Sequence, residues 1–87
     1  MQRFFFNHRS NDGLHELDID GIELHSLNDA LNEAVFAARG AMALADEPAT
    51  GCFEIEDAGR VLVARVPYTM DPALPLEAAE LAILPTI

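Results

Sequence analysis

One long stretch of this chain carries a helical period, and it lies between two blocks that carry the period of strands. From Ser26 to Asp46, apolar residues recur at Leu27, Leu31, Ala34, Val35, Ala38, Ala41, Met42 and Ala45. On a 3.6-residue repeat these form a single stripe, and a stripe of that kind has to face a core. Ser26 followed three residues later by Asp29 is an N-cap signature, with an acid near the positive end of the helix dipole. Pro48 ends the run, because the residue before a proline is driven out of the helical region. Phe36 falls on the polar side of the wheel, with Gly40, Ala43 and Leu44 close to it. Small residues around one large apolar side chain predict a second contact surface, separate from the core stripe.

The flanking blocks read as hairpins. Arg3 to Arg9 is aromatic-rich and suits a pleated sheet. Alternation puts Phe4, Phe6 and His8 on one face and Arg3, Phe5 and Asn7 on the other. Ser10-Asn11-Asp12-Gly13 is a turn into a second strand, Leu14 to Asp20. There His15, Leu17 and Ile19 are expected inward, and Glu16, Asp18 and Asp20 toward water. After the helix, Cys52 to Asp57 and Arg60 to Val66 form a hairpin about Asp57-Ala58-Gly59, the glycine supplying a positive φ. Pro67, which has no amide donor, is expected to end the pairing.

The order ββαββ predicts an α+β fold: a four-stranded antiparallel sheet with the long helix across one face. Order 2-1-3-4 makes every neighbour antiparallel, with the helix connection passing over strand one. Order 2-1-4-3 is the alternative. Composition changes after Tyr68, dividing the chain into a ββαββ unit (1–68) and a Pro/Leu-rich tail (69–87). Within the tail, Leu76 to Leu84 reads as a short helix starting after Pro75. A tail this apolar is expected to dock, on its own domain or on a neighbouring subunit.

Fifteen acids face five arginines and no lysine, a formal net charge of −10. That charge repels phosphates and argues against nucleic acid. The apolar run at Phe4–Phe6 is too short for a signal peptide or a membrane span. A cytoplasmic location without a membrane role is therefore expected, and the lone Cys52 cannot make an intrachain disulfide.

No catalytic motif or phosphate-binding loop is legible, so no enzyme activity and no cofactor are expected. Among three histidines, His8 and His15 are weak metal candidates, because a hairpin would set them opposite one another with Glu23 or an aspartate nearby. Their spacing matches no common metal motif. The surplus of apolar surface gives a different expectation, a non-enzymatic module that forms a homodimer or binds a protein partner. Its expected interaction surface comprises Phe5, Phe36, Gly40, Ala43, Leu44, Leu76, Leu81 and Leu84.

Three segments, RFFFNHR, DGIELHSLNDALNEA and FEIEDAGRVLVARVPY, together resemble a family of short bacterial proteins classed as a domain of unknown function. Its pattern is an aromatic-rich first strand often holding a histidine, an E-L-x-[DS]-L helix entry and an F-E-I-x-D-x-G-R-V-L hairpin. Glu23-Leu24, Ser26-Leu27, Phe53-Glu54-Ile55 and Gly59-Arg60-Val61-Leu62 fill those places, and the resemblance covers residues 2 to 68. Asn7 before the histidine and a longer tail depart from the pattern. The resemblance implies the fold, and implies no activity, cofactor or catalytic residue.

Overall fold

The computed structural model describes residues 1–71 and 80–85. Its elements in chain order are β1 (Gln2–Ser10), β2 (His15–Glu16), β3 (Ile22–Leu24), α1 (Leu27–Leu44), β4 (Ala49–Glu56), β5 (Leu62–Met70), β6 (Glu80–Leu81) and β7 (Leu84–Pro85). The fold is α+β, with, among the described residues, one helix on one antiparallel sheet. The sheet runs β2-β1-β4-β5-β6; β3 shares the outer edge of β1 with β2, and β7 pairs with β5. The expected order of the four main strands is contained in this one, which differs in detail at both edges. The helix packs on β4 and β5, farther across the sheet than the strand over which its connection was expected to pass.

Strand register explains which face the helix covers. Phe6 pairs with Ile55 and His8 with Phe53, while Ile55 pairs with Ala64 and Phe53 with Val66. Directly opposed residues point the same way, so Phe4, Phe6, His8, Phe53, Ile55, Ala64, Val66 and Tyr68 share one face. Against them the helix turns Ala30, Ala34 and Ala38, all fully buried. Four-residue spacing makes these alanines one ridge, and a methyl at each position lets the helix backbone approach the sheet closely. Leu27, Leu31, Val35, Ala41 and Met42 flank the ridge, half-buried against the same cluster. Ser26 caps the helix as expected, its hydroxyl oxygen accepting the Asp29 amide at 3.2 Å.

The second strand is shorter than its alternation suggested. Only His15–Glu16 pairs with β1, because Asp18 takes over from the backbone. Its carboxylate accepts the Phe6 amide at 3.1 Å and the Gly21 amide at 3.0 Å, and its own amide donates to Asn7 Oδ1 at 2.9 Å. A side chain thus satisfies the ladder donor at Phe6, and the chain turns. Leu17 and Ile19, expected inward, are left exposed, and Asp18, expected outward, is half-buried. Gly21 then passes close over β1: at φ +70°, a Cβ would lie 2.8 Å from the Phe4 carbonyl oxygen.

Three further expectations are corrected. In the β4–β5 hairpin, the positive φ (65°) belongs to Arg60, not Gly59. The Asp57 carboxylate accepts the Gly59 and Val61 amides, fixing the turn one residue later than glycine placement suggested. Arg60 is held there by its side chain, which pairs with Glu56 at 3.1 Å, donates to the Asp18 carbonyl at 3.0 Å and lies 3.9 Å from the centre of the Phe5 ring. Second, pairing does not stop at Pro67, which sits opposite Cys52 within β5. The Pro67 carbonyl accepts from Ala82. A residue's N–H and C=O project to the same side of a strand, so the missing amide faces the tail and the β4 ladder loses nothing. Third, the described part of the expected 76–84 helix is extended: Glu80–Leu81 pairs with Tyr68–Thr69, and Leu84–Pro85 with Ala64–Arg65. The outer edge of β5 offers backbone partners that a short helix would not use. Residues 76–79 of that expected helix lie outside the described residues. The described part of the tail, residues 80–85, therefore docks on its own sheet.

Candidate functional site

Two features of this scaffold are candidates for function: a cluster around His8 at one end of the sheet, and the outward face of the helix.

In the first, strand alternation sets His8 on the helix side of β1, beside Phe53 of β4. The two rings stack in parallel, 4.2 Å apart and 4° from coplanar. His8 Nε2 lies 2.8 Å from the Tyr68 hydroxyl, and Nδ1 lies 3.7 Å from Glu16 Oε1. Tyr68 is tilted over both rings, in space kept open by Gly51; a Cβ at position 51 would collide with the Tyr68 hydroxyl. Burial, with help from Asp12 and Cys52, pushes the Tyr68 pKa above its ordinary value. The phenol therefore stays protonated through the physiological range, and its hydroxyl shares a hydrogen bond with His8 Nε2. Beside this cluster is an open groove of about 450 Å³, lined by Phe6, His8, Glu16, Leu17, Asp18, Ala41 and Phe53. The carboxylate of Asp18 is already engaged with two amides. The groove offers an aromatic wall with Glu16 on its rim.

His15 does not join this cluster. His8 pairs with Glu16, and His15 pairs with Arg9, so the two histidines point to opposite faces of the β1–β2 ribbon. The expectation that a hairpin brings them together fails by one residue of register. Among the described residues, no three His, Cys, Asp or Glu side chains converge as metal ligands would.

The opposite sheet face carries charge. Glu54 accepts from Arg9 at 2.7 Å and lies 3.5 Å from Arg65. Burial opposes ionisation of Glu54, but the two guanidiniums outweigh it and hold the carboxyl below its ordinary pKa.

On the helix, Phe36 is 78% exposed and Leu44 86% exposed; Gly40 and Ala43 are exposed between them. Positions 36, 40, 43 and 44 follow the spacing of one helix face, so these four expected interaction residues are brought together. The others are not. Phe5 is buried beneath the Arg60 guanidinium. Leu81 packs half-buried against the core, and Leu84 is half-exposed in β7. Leu76 lies outside the described residues. Tyr68 and Gly51 were missed as site residues. The available signal was that Tyr68 continues the Ala64, Val66 alternation past Pro67.

The chain belongs to the family described as Domain of unknown function (DUF6894), whose model matches residues 3–69. That span holds β1 to β5 except for the end residues Gln2 and Met70, includes both candidate features, and leaves out β6 and β7. No curated protein and no solved structure matches the chain. Among the described residues, no helix is long and apolar enough to cross a membrane.

Proposed function

We propose that this member of the DUF6894 family is a non-enzymatic protein-interaction module whose contact surface is the outward face of α1. The observation that carries this reading is the contiguous apolar strip of Phe36, Gly40, Ala43 and Leu44 on an otherwise well-packed helix. Burying a phenylalanine and a leucine contributes about 1.5–3 kcal/mol each, and the fold leaves both side chains in water. A single exposed apolar residue is ordinary, whereas a clustered pair around small residues is the usual composition of an interface centre. The His8 cluster supports a structural role in this reading. Both ring nitrogens already face a partner, and the ring is stacked on Phe53.

The test is Phe36→Asp, examined by light scattering and by pull-down with the full chain as bait. Position 36 is exposed, so thermal stability should stay within about 0.5 kcal/mol of the parent. Loss of a bound protein, or a fall in solution mass, is expected. Unchanged mass together with an unchanged set of bound proteins would remove the assignment.

A further inference from the structure

We infer that the occupant of this helix face is a basic amphipathic segment of another protein, apolar at its centre and carrying arginine or lysine at both ends, not a second copy of this chain. The inference rests on the reading of that face as the contact surface.

The charge distribution around the strip carries it. Asp29 and Glu33 lie in the turns before Phe36, and Asp46 and Glu47 lie just beyond the C-terminal end of the helix. Glu33, Asp46 and Glu47 are exposed and make no ion pair among the described residues. A helix C-terminus is already the negative end of the dipole and favours cations. This one has no basic residue in its last turn, and it is followed by two carboxylates. Among the described residues, no ion pair offsets that charge. Lysine is absent, and Arg3, Arg9, Arg60 and Arg65 are engaged with Glu23, Glu54, Glu56 and Glu54 respectively. Arg39 is the single base on the helix.

A second copy fits this surface badly. An antiparallel pairing sets Asp29 and Glu33 against Asp46 and Glu47, and a parallel pairing sets each acid against itself. Both juxtapose like charges on a protein of net charge −10, which opposes association. A basic segment reverses the sign of the same terms. Phe36 to Leu44 spans about 12 Å of helix, so an apolar centre of two to three turns covers the strip. Gly40 presents no side chain between them and the space above it is open, a Cβ there meeting nothing within 4 Å. A bulky apolar side chain of the partner can lie against the helix backbone at that point.

The experiment pairs two measurements on the full chain. Light scattering over a concentration series reads self-association. Fluorescence anisotropy reads binding of a labelled helical peptide with a leucine centre and arginines at both ends, compared with the same peptide carrying glutamate for arginine. Expected are a monomer at all concentrations and at least about tenfold tighter binding of the arginine peptide. Binding should be lost in Phe36→Asp and weakened about tenfold in Asp46→Asn/Glu47→Gln. Equal binding of both peptides, or arginine-peptide binding that survives Phe36→Asp, overturns the inference, because the first shows no charge selection and the second only bulk attraction. A mass that doubles and is restored to monomer by Phe36→Asp also overturns it, but leaves the interaction surface standing. Neither peptide binding nor self-association removes both.

Discussion

Replacing Gly51 by alanine adds one methyl, and the structure drives that methyl into the hydroxyl end of the Tyr68 ring. The position is buried, and the methyl's nearest neighbours would be the tyrosine Oη, Cζ and Cε1. Tyr68 cannot swing away freely, because it is 4% exposed and its hydroxyl is bound to His8 at 2.8 Å. Overpacking of this kind costs about 1–3 kcal/mol, and displacing the phenol loses a hydrogen bond of about 1 kcal/mol. The expected total is about 2–4 kcal/mol, roughly 10–25 °C in Tm for a domain of this size. Urea unfolding followed by far-UV circular dichroism measures it. Tyr68 is the only tyrosine and there is no tryptophan, so intrinsic emission reports the same site in the same titration. Gly40→Ala is the control: position 40 is helical and open, and alanine there should stabilise by up to about 1 kcal/mol. In a Tyr68→Ala background, Gly51→Ala should change stability by less than about 0.5 kcal/mol, because the obstructing ring is gone. An alanine at 51 tolerated with Tyr68 intact would refute the packing described for this end of the sheet.

Two other substitutions test the edges of the scaffold. Glu54→Gln removes the carboxylate shared by Arg9 and Arg65. The folded pKa of Glu54 is depressed, so its stabilisation is full above the ordinary glutamate range and is lost as pH falls through the folded value. The variant should therefore be less stable than the parent at neutral pH, by about 1 kcal/mol, and the difference should vanish in acid. A stability gap that persists to the acid end would mean the carboxylate's charge is not what matters. Asp18→Ala leaves the Phe6 and Gly21 amides without their acceptor, an expected loss of about 1–3 kcal/mol. Faster hydrogen exchange at Phe6 is the local sign of it, and an unchanged exchange rate there would mean the Asp18 carboxylate is not its acceptor.

Local patterns were readable where each side chain's surroundings follow from its neighbours in sequence. Ser26 and Asp29 announced the helix start, alternation sorted Phe4 and Phe6 from Phe5, and the order of the main strands followed from requiring every neighbour to be antiparallel. The strip of Phe36, Gly40, Ala43 and Leu44 was legible for the same reason, since helical spacing alone places them together. Reading failed where one side chain competes with the backbone over a distance. Asp18 looked like the outward member of a strand, yet it ends that strand by accepting the Phe6 amide. Phe5 looked like free apolar surface, yet Arg60, 55 residues later, lies over it. Pro67 looked like a strand end, because nothing local says which side its missing amide faces.

The division is therefore physical. The sequence by itself determined the types of the main elements β1, α1, β4 and β5, the buried and polar faces of the helix, and the acidic balance, since periodicity and composition are properties of the chain alone. Tertiary structure decided the register that parts His8 from His15, the Tyr68 ring over Gly51, the docking of residues 80–85 as strands, and which apolar residues remain in water. Each of these depends on what lies opposite in space, and a period of two or of 3.6 names the face a residue points to without naming its neighbour.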